Sequence, residues 1–150
     1  DVRSVIARST LKPRCLRLEL TESLVMDNPE QSAHVLSKLK QIGIGLSLDD
    51  FGTGYSSLSY LTRFPFDTIK IDKSFIDDES PKRSVLLRAM VNMAHDLGLA
   101  VVAEGVPDEN AALELRQMGC EFVQSFAFGA PMPADAAIKL LKEQATLARA

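Results

Sequence analysis

Short apolar runs alternate along the chain with longer stretches in which hydrophobic residues recur every three or four positions. These runs, three to five residues long, predict strands over 16–20, 44–48, 68–71, 100–103 and 122–124. The intervening segments predict helices over 29–41, 56–62, 81–97, 108–118 and 134–147, with residues 1–10 as the tail of an earlier helix. Val85, Leu86, Ala89, Met90 and Met93 carry the helical spacing most clearly. Asp27-Asn28-Pro29 is a start signal, since Asn caps and Pro suits the first turn. Gly43, Gly98 and Gly119 are stop signals, and Pro65 closes the short helix before it.

Strands that follow one another through helices must pair in parallel with right-handed crossovers. Two architectures satisfy this, an open doubly wound sheet and a wall of a closed barrel. Five βα units are too few to close a barrel of eight strands by themselves.

Composition narrows the classes without choosing a function. With 150 residues, 46% of them hydrophobic and 25% charged, one globular domain with a core is expected. No apolar run reaches the roughly 20 residues of a membrane span, and the first residues lack the order of a signal peptide. A cytoplasmic location is the resulting expectation. Cys15 and Cys120 fall in no metal or redox pattern, so two reduced, partly buried thiols are expected. The net charge of −3, with no basic block longer than two residues, argues against duplex nucleic acid as a partner.

Candidate chemistry comes from where the polar residues fall. Glu19 and Glu22 follow the first strand, Asp49 and Asp50 end the second, Lys70 and Asp72 end the third, Glu104 the fourth and Gln124 the fifth. In βα architectures these carboxyl ends share one face, where ligands bind. Carboxylates gathered on one rim repel one another unless a cation neutralises them. An all-oxygen set favours magnesium, manganese or calcium over zinc, because no His or Cys joins it. His34 and His95 read as ordinary helix residues. Neighbouring side chains on a strand point to opposite faces, so Asp49 and Asp50 can share a site only where the strand ends and the chain turns. Lys70 reads either as a salt-bridge partner of Asp72 or Asp50, or as a cation beside metal-bound water, able to orient or deprotonate it if desolvation lowers its pKa.

These residues carry a resemblance to the EAL-domain cyclic-di-GMP phosphodiesterases of bacterial signalling. The matching motifs are L-E-L-T-E-S (18–23), D-D-F-G-T-G-Y-S-S-L (49–58), I-K-I-D-K-S-F-I (69–76), A-E-G-V (103–106) and G-C-E-F-V-Q (119–124). The resemblance implies an α/β fold, a partial TIM-like (β/α) barrel of about five βα units, as the C-terminal part of a single EAL domain. It implies hydrolysis of cyclic-di-GMP to linear pGpG with two Mg²⁺ or Mn²⁺ ions. Carried over by motif, Glu19 binds one metal, Asp49 bridges both, Asp50 binds the other, and Glu104 holds the second directly or through water. Lys70 acts on the nucleophilic water, Asp72 lies behind the ligands and Gln124 helps order the site. Glu22 braces the loop of Phe51, Gly52, Thr53 and Gly54, which the family uses to couple metal binding to dimerisation.

The Glu-Ala-Leu motif and a metal-binding Asn are absent from the 150 residues, so little turnover is expected of them alone. Pro107 replaces a second acidic residue after A-E-G-V, and Ser125-Phe126 replace the usual Gly-Tyr. The alternative is a degenerate domain that binds cyclic-di-GMP or another protein without cleavage, against which the intact acidic cluster stands. An unrelated metal-dependent barrel enzyme would leave the D-D-F-G-T-G-Y-S-S-L match to chance. A homo-oligomer is expected, because a partial barrel exposes an edge and apolar surface, and sensory or GGDEF domains are expected partners in a longer parent protein.

Overall fold

The computed structural model describes residues 2–54 and 61–147. Five parallel strands form one sheet: β1 (Arg17–Thr21), β2 (Gly45–Phe51), β3 (Thr68–Ile71), β4 (Ala100–Glu104) and β5 (Phe122–Gln124). Their spatial order is their order along the chain. A doubly wound sheet reverses direction at a switch point, whereas a barrel wall advances one way. The order therefore favours the barrel wall between the two architectures left open by the sequence.

The helices are α1 (Val2–Arg8), α2 (Glu22–Met26), α3 (Pro29–Ile42), α4 (Lys73–Ile76), α5 (Arg83–Asp96), α6 (Glu109–Gln117) and α7 (Ala134–Leu147). A 3₁₀ turn, Pro13–Cys15, precedes β1. The Asn28 side chain accepts a hydrogen bond from Gln31 N at 3.2 Å and caps α3 with Pro29 in the first turn, and Asp108 caps α6 in the same manner. Gly43 ends α3 with φ 93°, a left-handed conformation open to glycine. The helix expected over 56–62 falls largely outside the described residues.

Strand periodicity sorts the sheet into two unlike faces. Register aligns Leu18, Leu46, and Leu20, Leu48, Ile69, Val101 on one face, with Ile71, Ala103 and Val123 continuing it. Leu36 of α3, Leu87 and Val91 of α5 and Leu115 of α6 cover that face and complete a single core. Each fully buried aliphatic side chain of this kind contributes roughly 1.5–3 kcal/mol by leaving water. The other face carries Glu19, Ser47, Asp49, Thr68, Lys70 and Glu104. Every residue of β3 is buried, including Thr68 and Lys70. A hydrophobic strand exterior thus holds in place a polar interior.

The two cysteines differ. Cys120 is buried, and its Sγ donates to Phe122 O at 3.2 Å; burial pushes its thiol above the ordinary range. Cys15 is exposed, contrary to the expectation of partial burial, because the turn before β1 lies outside the core.

Candidate metal centre at the strand ends

The route from sequence to site begins with an irregularity in β2. Leu48 pairs with Ile69 and Phe51 with Ile71, so β2 takes three steps where β3 takes two. The extra residue is a β-bulge. Asp50 occupies it with φ 54°, a conformation that Asp tolerates better than most side chains. The bulge defeats the up-and-down alternation at this point, and one oxygen each from Asp49, Asp50 and Glu104 lies within 4.8 Å of the others.

Lys70 lies among these groups on the polar face. Its Nζ donates to Glu19 Oε2 at 2.8 Å and lies 2.9 Å from Asp49 Oδ1 and 2.5 Å from Glu104 Oε1. The side chain is only 4% exposed. Burial works to pull its pKa down, but the carboxylates of Glu104, Glu19 and Asp49 outweigh it and hold the pKa above the ordinary value. Lys70 is therefore an ammonium here, and the condition for it to act as a base, a lowered pKa, is not met in this arrangement. Nor are its partners Asp72 and Asp50, as the salt-bridge alternative had it; they are Glu19 of β1, Asp49 of β2 and Glu104 of β4.

One ammonium facing Glu19, Asp49, Asp50 and Glu104 leaves the cluster with excess negative charge. Asp49 Oδ1 is buried and accepts no well-formed hydrogen bond despite its nearness to Lys70. A hard divalent cation with oxygen ligands fits both facts, by neutralising the excess and giving the buried oxygen a partner. Asp49, Asp50 and Glu104 form the group ready to ligate; Glu19 reaches it through Lys70.

The remaining candidates stand around this group. Glu22 is buried at the start of α2, where Thr21 caps the helix. Its Oε2 accepts from Gly52 N at 3.4 Å, and its Oε1 has no partner. A Cβ on Gly54 would lie 3.3 Å from that oxygen. Glu22 is thus set against the loop that leaves β2. Phe51 anchors the loop in the core, and Thr53 Oγ1 donates to Asp50 O at 2.8 Å. Asp72 is turned away from the cluster: it caps α4, accepting from Ser74 N at 2.9 Å and Ser74 Oγ at 2.5 Å. The Ser74 hydroxyl and amide hold its carboxyl below the usual range. Gln124 is exposed at the end of β5, where its carbonyl accepts from Gly105 N at 2.8 Å.

Sequence reasoning passed over Thr53 as a tether of Asp50 and Lys73 beside Glu104. The signal for Lys73 was Gly105, since a glycine directly after a strand-end carboxylate marks a close approach.

The family model described as EAL domain matches residues 1–131. The Pseudomonas aeruginosa protein named cyclic di-GMP phosphodiesterase NbdA is 42% identical over 144 residues, 95% of this chain and 18% of its own length. Among solved structures, the c-di-GMP complex of the PaMucR phosphodiesterase is 41% identical with a TM-score of 0.86, covering 91% of this chain and 56% of that one. The manganese and c-di-GMP complex of Klebsiella pneumoniae BlrP1 is 35% identical with a TM-score of 0.76, over 84% of this chain and 33% of that one. The chain spans about a fifth of the length of the curated relatives it matches.

Proposed function

The chain belongs to the EAL domain family, and from that premise we propose that it forms the C-terminal part of a phosphodiesterase that hydrolyses cyclic-di-GMP to linear pGpG. The convergence of Glu19, Asp49, Asp50, Lys70 and Glu104 at the carboxyl ends of β1 to β4 carries this reading. Such a cluster suits an anionic phosphodiester only with metal bound, and the donor set is one that magnesium or manganese accepts. Glu19, Asp49, Asp50 and Glu104 would hold two such ions. When bound, they supply a nucleophilic water at neutral pH and neutralise charge on the phosphoryl group.

The protein's own side chains divide the other tasks. Lys70, held protonated, donates a hydrogen bond to Glu19 and pairs electrostatically with Asp49 and Glu104, drawing the three carboxylates together. Asp72 sets the turn that follows β3, and Gln124 stands at the rim on the β5 side. Glu22 braces the loop from Phe51 to Gly54, so the metal ligands Asp49 and Asp50 are followed by a segment whose position depends on a buried carboxylate. The same reading includes a homo-oligomer, sensory or GGDEF domains elsewhere in the parent, and the cytoplasm as the compartment.

The test is chromatographic detection of pGpG from cyclic-di-GMP with Mg²⁺ or Mn²⁺. The full-length protein is expected to release product, and the 150 residues alone to release little. Asp49→Asn should lower turnover by about 100-fold or more while leaving the circular dichroism spectrum unchanged. Binding of cyclic-di-GMP by the full-length protein without product under either metal would refute the hydrolase reading.

A further inference from the structure

Four buried side-chain oxygens lack a hydrogen-bond partner among the described residues, and three of them belong to neighbours on the polar face of β2 and β3: Ser47 Oγ, Asp49 Oδ1 and Thr68 Oγ1. Ser47 and Thr68 are register partners, so their backbones run about 4.8 Å apart. Asp49 follows Ser47 by two positions and stands next along the same face. Ser47 and Thr68 are each only 1% exposed. An unpaired hydroxyl at that depth is costly, and two of them beside a carboxylate oxygen call for a shared partner.

The protein itself supplies none. Both strands are interior to the sheet, so their backbone groups are taken by the parallel ladders on either side. Lys70, two positions beyond Thr68, carries its ammonium onward to Glu19, Asp49 and Glu104 and leaves the hydroxyls unbonded. Nor does carbon crowd the place. Flanking the pair on this face are Gly45, two positions before Ser47, and Ala100, the register partner of Thr68. A glycine and an alanine leave room where larger side chains would close over the hydroxyls.

Water matches this set of groups. One molecule can donate to Asp49 Oδ1 and to one hydroxyl oxygen while accepting from the other hydroxyl, which makes three bonds, the usual number for buried water. A carboxylate oxygen has two lone pairs, so a water on one leaves the other for a cation. We propose that Ser47 and Thr68 together bind one buried water, which donates to Asp49 Oδ1 and orients that carboxylate for the metal. Ser47 and Thr68 are then positioning residues that act through Asp49. The role of the water deepens the metal-bound reading under Proposed function and rests on it; the water site itself does not.

Crystallography of the full-length protein at high resolution, paired with Mn²⁺ calorimetry, tests the assignment. The wild type should show a water within about 3.2 Å of all three oxygens, and Ser47→Ala combined with Thr68→Val should lose it. Ser47→Ala and Thr68→Val should each weaken Mn²⁺ binding about tenfold, as loss of a group that orients a ligand does. The double variant should bind little more weakly than either, because both substitutions remove the same water. Thr68→Val keeps the shape and loses the hydroxyl, whereas Thr68→Ser keeps the hydroxyl and loses the methyl. Thr68→Ser should therefore retain the wild-type affinity, and a packing role would give the opposite order. Bare hydroxyls in the wild-type density overturn the proposal, and so does Mn²⁺ affinity unchanged in the double variant. If the wild type binds no Mn²⁺, the metal reading fails and the positioning role with it. The density then decides the water site alone: a bridging water supports it, and its absence overturns it.

Discussion

At Asp50 the backbone holds φ 54°, and two requirements meet in one residue: the bulge needs a left-handed conformation, and the site needs a carboxylate. The two are separable. Asp50→Asn keeps a side chain that tolerates this conformation and removes the charge. It should unfold in urea close to the wild type while binding Mn²⁺ about 10 to 100 times more weakly by calorimetry. Asp50→Val should instead cost about 1–2 kcal/mol of stability, since a β-branched residue is strained there. Lys70 poses the reverse problem. Removing its ammonium leaves Glu19, Asp49 and Glu104 facing one another without a counter-charge. Lys70→Met is expected to lose about 3 kcal/mol in urea unfolding with chelator present, the range for breaking a buried ion pair. Added Mn²⁺ should stabilise this variant more than it does the wild type, because a metal can replace the missing positive charge. Equal stabilisation of the two would count against that account.

At the scale of elements, the end of the sheet opposite the carboxylates is held by a device that occurs twice. Asp67, just before β3, accepts from Leu46 N of β2 at 2.8 Å and from Lys40 Nζ of α3 at 2.6 Å. Glu121, just before β5, accepts from Val101 N of β4 at 2.9 Å and lies 3.0 Å from His95 Nε2 of α5. In each case a carboxylate ties the start of one strand to the start of its neighbour and to the helix leading into it. Burial works to raise the Asp67 pKa, but its hydrogen bonds from Lys40 and Leu46 prevail and lower it. Its folded value lies below the unfolded one, so the stabilisation is present above about pH 4 and is lost as pH falls through the folded value. Asp67→Asn should therefore flatten the acid limb of a thermal-melt series recorded from pH 6 downward.

The elements also show what sequence patterning could reach. β3, β5 and α7 have the bounds that the hydrophobic pattern predicts. β2 and β4 run on into Asp49, Asp50, Phe51 and Glu104, since a parallel ladder of backbone hydrogen bonds does not stop where the side chains become polar. α2 and α4 went unread, being five and four residues long and too short to show a helical period. The cap residue Asp72 was legible as an acid at a strand end, but its partner Ser74 was not. Which carboxylates meet Lys70 depends on strand register and on the bulge, and neither is written in local sequence.

For the whole molecule, winding in one direction gives a sheet whose helix-covered face is closed and whose other face opens toward the β5 side. Phe122, Phe126, Phe128 and Leu141 are exposed there, Phe126 to 79%. A surface of this kind favours association. Sedimentation velocity of the 150 residues is expected to show species larger than a monomer, and Phe126→Ser combined with Leu141→Glu should shift them toward monomer. A wild-type chain that stays monomeric at every concentration would contradict this. The buried ammonium among the carboxylates has a further consequence, for the cell. If the proposed metal dependence holds, a chain that carries its own counter-cation would keep its fold when metal is scarce, so scarcity would silence the protein without depleting it and resupply would restore output without new synthesis.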